Sequence, residues 1–136
     1  MITASELMTP RPVAIRSTDS VSEAVRILQE LEIRHLPVVN EQQEPVGMLS
    51  DRDLRSLSVP VLLDDEWLGT ARSALDAPVA SLMTASPLSV ELEADAAEVV
   101  DLMLDNKVGA IPVVDAEGRL AGIVSYVDVL RRLSLE

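Results

Sequence analysis

Leu7-Met8-Thr9 returns 75 residues later as Leu82-Met83-Thr84. The same offset then runs on without a gap, carrying Pro12 onto Pro87, Glu23 onto Glu98, Val25 onto Val100, Pro37-Val38-Val39 onto Pro112-Val113-Val114, Gly47 onto Gly122, Ser50 onto Ser125 and Asp53 onto Asp128. Coincidence does not hold a register over that length, and self-similarity at a fixed period marks a structural unit written twice.

Each copy reads alike. A short alternating segment (Val13 to Arg16; Leu88 to Glu91) has the period of a half-buried strand. A helix follows, with Val21, Ala24, Val25 and Leu28 in one copy and Ala96, Val99, Val100 and Met103 in the other repeating at i, i+3, i+4, i+7. Two strands joined by a turn rich in Asn, Asp, Gly and Pro come next: Leu36 to Val39, then the turn from Asn40 to Pro45, and Ile111 to Val114, then the turn from Asp115 to Arg119. An amphipathic helix closes each copy, from about Asp51 to Leu57 and from about Tyr126 to Leu133. The unit is β-α-β-β-α, an α/β (α+β) fold.

The division expected is a first repeat at 1–58, a packed and partly helical linker at 59–78, and a second repeat at 79–136. The linker VPVLLDDEWLGTARSALDAP is too apolar for a flexible tether. A unit of this size is marginal alone, so the copies are expected to pack against each other about a pseudo-twofold axis, with a ligand cleft between them.

Composition narrows the function. The chain of 136 residues has no cysteine, which removes disulfides, thiolate nucleophiles and Cys-based metal sites. Its opening residues lack the basic start and apolar run of a signal peptide, and no apolar stretch approaches the ~18 residues of a membrane span. A soluble, cytoplasmic protein is expected, with no membrane partner. A net charge of −12 repels phosphate backbones, and only Trp67 and Tyr126 are available to stack on bases, so no nucleic-acid partner is expected. Residues 1–58 hold six Arg/Lys against nine Asp/Glu and residues 59–136 five against fourteen, so an anionic ligand should prefer the first half.

The repeated Leu-Met-Thr, the Leu/Ile-Pro-Val-Val strand and Gly-x-x-Ser-x-x-Asp before the last helix resemble tandem CBS domains, the Bateman module. The stretch Ile33-Arg34-His35-Leu36-Pro37-Val38-Val39, with Ser50-Asp51-Arg52-Asp53-Leu54-Arg55, is similar to stand-alone bacterial CBS-pair proteins of the acetoin-utilisation type. The resemblance implies that an adenosine-containing ligand (AMP, ADP, ATP or S-adenosylmethionine) binds between the copies. Asp53 and Asp128 would then accept from ribose hydroxyls, since a carboxylate can take two O–H donors at once, while Ser50 and Ser125 would donate to ribose or phosphate. Adenine would lie against Ile15, Arg16, Arg34, His35 and Leu36 in one pocket and Val90, Gly109, Ala110 and Ile111 in the other. Arg34, His35 and Arg52 stand where the second copy has Gly109, Ala110 and Val127, so the first copy should grip phosphate better.

Each feature also has a plainer reading. Ser-x-x-Asp is close to a capping box, which satisfies helix N–H groups without a ligand. His35, the single histidine, is more often a packing or surface residue than a metal ligand, and Arg34 and Arg52 are equally suited to solvent or to carboxylate partners. Trp67 fits a linker anchor better than a docking hot spot, Met8 and Met83 fit as core fillers, and Asp64-Asp65-Glu66 fits a solvated run better than a cation site. No metal site and no required cofactor are expected.

The function expected is a regulatory sensor of adenine nucleotides, acting in trans on an unknown protein effector and assembling as a homodimer. The alternative is a ligand-free structural or dimerisation module. No catalytic triad, Walker loop, Gly-x-Gly-x-x-Gly or metal-ligand set is present, so no enzyme is expected.

Overall fold

The structure, a computed structural model, describes residues 1–55, 73–85 and 87–134. Trp67, Asp64-Asp65-Glu66 and most of the 59–78 linker lie outside the described residues; of the linker's remainder, 73–76 is helical. Helices α1 (Ala4–Leu7), α2 (Val21–Leu31), α3 (Asp51–Arg55), α4 (Ala96–Asn106) and α5 (Tyr126–Ser134) alternate with strands β1 (Thr9–Pro10), β2 (Ile15–Arg16), β3 (His35–Val39), β4 (Pro45–Ser50), β5 (Thr84–Ala85), β6 (Val90–Glu91), β7 (Ala110–Val114) and β8 (Leu120–Ser125).

The two copies are built by the same local devices. Ser20 and Asp95 cap α2 and α4, and both helices end on a left-handed residue, Glu32 and Lys107, each with φ 54°. Val21, Ala24 and Leu28 are buried along α2, as Val99 and Met103 are along α4, so the apolar stripe packs as its spacing demands. The hairpin turns are closed by one side chain each. Asn40 Oδ1 accepts from the amides of Gln42 (3.0 Å) and Glu44 (2.9 Å), and Asp115 Oδ1 from those of Glu117 (3.0 Å) and Arg119 (2.9 Å). The two hairpins carry the same irregularity, between Val38 and Val39 and between Val113 and Val114.

The sheets depart from a simple tandem array. One is ordered β2-β3-β4-β5 and the other β1-β8-β7-β6, so each repeat's Leu-Met-Thr strand crosses over and pairs with the final strand of the other copy. The N-terminal segment is bonded into the second copy through Ala4 N to Ala94 O (2.8 Å) and Ala96 N to Ile2 O (2.8 Å). Its counterpart enters the first copy through Val79 N to Asp19 O (2.7 Å) and Val21 N to Ala77 O (2.9 Å). Ala4 and Leu7 accordingly join the core of Val99, Ile111, Val113 and Val124, while Val79 joins that of Ala24, Leu36, Val38 and Leu49. Met48, Ala110 and Ile123 form a third cluster drawn from both copies.

The crossover explains the matched methionines and glycines. Gly47 lies under Met83 and Gly122 under Met8, so closely that a Cβ at either glycine would overlap the thioether. Met8 and Met83 thus act as half-buried packing residues, each against the copy opposite its own.

Candidate functional site: two clefts between the repeats

Two clefts of about 480 Å³ each lie between the copies, within the size range of small-molecule sites. The first sets Ser50, Arg52 and Asp53 opposite Gly109, Ala110 and Ile111, with Thr84, Leu88 and Lys107 completing its walls. The second sets Ser125, Val127 and Asp128 opposite Ile33, Arg34 and His35, with Thr9, Val13, Glu32 and Arg131 around them.

Each Ser-x-x-Asp closes a capping box. Asp53 Oδ2 accepts from the Ser50 amide (2.8 Å) and hydroxyl (3.2 Å), and the Asp53 amide donates back to Ser50 Oγ (3.3 Å). Asp128 repeats this with Ser125 at 2.8, 3.1 and 3.3 Å. The cap engages Oδ2 alone, and Asp128 Oδ1 accepts from Thr9 Oγ1 at 3.0 Å. A carboxylate has about four acceptor positions, so the cap and a diol-bearing ligand are compatible at one side chain. The result is a half-buried carboxylate, held in one orientation, at the wall of a cleft.

Between the clefts stands a common wall. Arg34, His35 and Tyr126 border both cavities. Arg34 Nη1 donates to the Tyr126 hydroxyl at 3.0 Å, and the His35 and Tyr126 rings meet edge-to-face with centroids 6.5 Å apart. Gly109 makes room for the imidazole, since a Cβ there would come within 2.9 Å of His35 Nε2. Burial, and after it the neighbouring Arg34 charge, hold the His35 imidazole below its ordinary proton affinity, so it is neutral at pH 7.

Several sequence-based expectations change place. Ile15, Leu36 and Val90 are core residues at 3%, 0% and 6% exposure, and Arg16 pairs with Glu41 at 3.6 Å. None of the four lines either cleft: the three apolar side chains are taken up by the repeat cores and Arg16 by its carboxylate partner. Arg34 and His35 do not belong to one copy's pocket: β3 packs against β8 of the other copy, and these two side chains border both clefts. Gly109, Ala110 and Ile111 line the Asp53 cleft rather than that of their own repeat's Asp128. Thr9, Thr84, Tyr126, Lys107 and Glu32 are not among the site residues expected from sequence. The repeated Leu-Met-Thr was a signal for the two threonines, but only the crossover carries Thr9 to Asp128. Among the described residues, no group of three or more His, Asp or Glu side chains is placed to hold a metal ion, and no helix is long and apolar enough to cross a membrane.

Comparison with known proteins agrees with this architecture. The CBS domain pattern matches residues 4–60 and again 79–135. The chain is 31% identical to the chloroplastic CBS domain-containing protein CBSX2 of Arabidopsis thaliana over 95% of its own length and 62% of that protein's. It is 36% identical to the magnesium transporter MgtE of Thermus thermophilus over 98% of its length, but spans only 27% of that protein. In three dimensions it superposes on CBSX2 crystallised in complex with AMP (TM-score 0.82, 31% identity, 99% of this chain and 98% of that one). A protein from Vibrio cholerae assigned to acetoin utilization, AcuB, superposes with a TM-score of 0.80 at 28% identity, covering 99% and 93% of the two chains. The cytosolic domain of the Mg2+ channel MgtE in complex with ATP does so with a TM-score of 0.73 at 35% identity, over 96% of this chain and 48% of that one. With both repeats matched and their strands paired in this way, the chain belongs to the CBS domain family and forms a tandem CBS pair, a Bateman module.

Proposed function

We propose that this CBS pair is a regulatory module that binds an adenosine-containing ligand, AMP, ADP, ATP or S-adenosylmethionine, in the clefts between its repeats and acts in trans on a protein effector. The observation that carries the proposal is the pairing, in each cleft, of a fixed Ser-x-x-Asp carboxylate from one repeat with the backbone-rich Gly109-Ala110 or the Arg34-His35 segment, with its one guanidinium, of the other. Asp53 and Asp128 would take the ribose hydroxyls, and Arg52, Arg34 and Ser50 the phosphate of the first cleft. Support comes from the relatives: CBSX2 was crystallised with AMP and the MgtE cytosolic domain with ATP. The chain spans less than two thirds of CBSX2 and MgtE as whole proteins, so the output of this pair is proposed separately from theirs. Binding regulates a partner only if the ligand favours one arrangement of the repeats over another.

We further propose a homodimer in the cytoplasm. Helix α5 packs Val129 against the core of its repeat but leaves Leu130 59% and Leu133 60% exposed, an apolar face suited to a second copy in a closed twofold pair.

A thermal-unfolding panel with AMP, ADP, ATP and S-adenosylmethionine tests the nucleotide reading. One of them at a hundred times its dissociation constant should stabilise the fold by about 2.7 kcal/mol, a midpoint rise of several degrees, and Asp53→Ala with Asp128→Ala should remove it. A midpoint indifferent to all four would contradict the proposal.

A further inference from the structure

The wall between the clefts is asymmetric. By the 75-residue offset, Gly109 and Ala110 stand where the first repeat has Arg34 and His35, so the axis carries one guanidinium, and that guanidinium borders both cavities. Its described partner is the Tyr126 hydroxyl at 3.0 Å, itself part of the shared wall. The clefts differ at other matched positions as well. Lys107 lines the first where Glu32, with the same left-handed φ of 54°, lines the second. Arg52 lines the first where Val127 lines the second.

We propose that Arg34 serves whichever cleft holds a phosphate-bearing ligand but not both at once, so that the clefts are negatively coupled and the Asp53 cleft fills first. The inference rests on the nucleotide reading above and adds to it how the sites are regulated. Apart from Arg34 and the two capping aspartates, Arg52, Arg55 and Lys107 with Asp51 line the Asp53 cleft and Arg11 and Arg131 with Glu32 line the other, so the Asp53 cleft has the larger cationic excess and favours an anion more. The phosphate bound there draws Arg34 away from Tyr126, and a second anion then meets an engaged guanidinium and a like charge across the shared wall. Regulation follows directly: low ligand concentrations report through one cleft, and only much higher concentrations populate the doubly occupied state.

His35 is the chain's single histidine and borders both clefts, so its imidazole Cε1–H resonance is one probe for two sites. Titrating the full chain with AMP should move it in two stages, the first assigned to the Asp53 cleft. The deciding comparison is Asp53→Ala, which disables that cleft. Coupling predicts that the remaining Asp128 cleft then binds AMP at least ~5-fold more tightly than the second stage of the unmodified chain, and that adding Arg34→Ala abolishes the gain. If loss of the cap unfolds Asp53→Ala, Arg52→Val weakens the same cleft with the cap intact and is expected to give a smaller gain of the same sign. An Asp128 cleft whose affinity is unchanged when the first cleft is disabled would overturn the coupling while leaving the nucleotide reading standing. No AMP binding to the unmodified chain would overturn both.

Discussion

Oδ2 of Asp128 is held by the amide and hydroxyl of Ser125 while Oδ1 faces Thr9, so the carboxylate that suits a ribose is also part of a helix cap. Substitutions therefore need to separate the two roles. Ser125→Ala removes the hydroxyl from the cap and should cost about 1 kcal/mol, or a few degrees in Tm, measurable by thermal unfolding without ligand. An unchanged midpoint would show that the cap carries no stability. His35 offers a second test at this scale. Its proton affinity is depressed in the fold, so between that lowered value and the ordinary value near 6.5 the unfolded chain binds more protons. Stability should fall as pH drops from about 7.5 to 5.5, and His35→Gln should flatten that slope in pH-dependent chemical denaturation; an identical slope would contradict the assigned burial. Glu23 and Asp115, whose carboxyls are held low by Arg26 and by the Arg119 amide respectively, lose their charge at lower pH and leave this window to His35. The Ser-x-x-Asp pairs were legible because their spacing is local. Thr9 was not, since nothing in a linear repeat says which copy's sheet a flanking strand joins.

Among the elements, the crossing strands β1 and β5 decide how firmly the copies are joined. The methionine just before each, Met8 or Met83, lies over a glycine of the opposite repeat, and this pairing can be tested by non-additivity. Gly47→Ala should cost about 1–3 kcal/mol by overpacking Met83. Met83→Ala should relieve part of that cost in the double variant, whereas Met8→Ala should simply add, as read by denaturant unfolding. Coupling to Met8 instead would mean that the strands do not cross. Gly122→Ala should be worse than Gly47→Ala, because the Thr9 carbonyl also stands 3.0 Å from the added Cβ. Helices and hairpins were readable from periodicity and from Asn40 and Asp115. Thr9–Pro10 and Thr84–Ala85 are two residues each and lie outside any alternating run, unlike Ile15–Arg16 and Val90–Glu91, so they gave no such signal.

For the molecule as a whole, the repeated register implied two units facing each other, and the cores of the described residues agree. The charge of −12 implies self-repulsion in the compact state, so raising NaCl from about 0.02 to 0.2 M should raise Tm as the Debye length shortens to below ~10 Å. A midpoint unmoved by salt would show that the acidic groups are too dispersed to matter. Assignment of pocket walls was least legible at this scale: Ile15, Leu36 and Val90 are apolar strand residues either way, and only the packing of copy on copy decides whether such a residue faces a cleft or, as in this structure, a core. The central claim, that the paired clefts are nucleotide sites, meets its most direct test in isothermal titration calorimetry of the ligand-free chain with AMP and ATP. The account predicts saturable heat for at least one of them, weakened by Asp53→Ala and by Asp128→Ala. Absence of saturable heat from both nucleotides, with the protein folded and free of carried-over ligand, would contradict it.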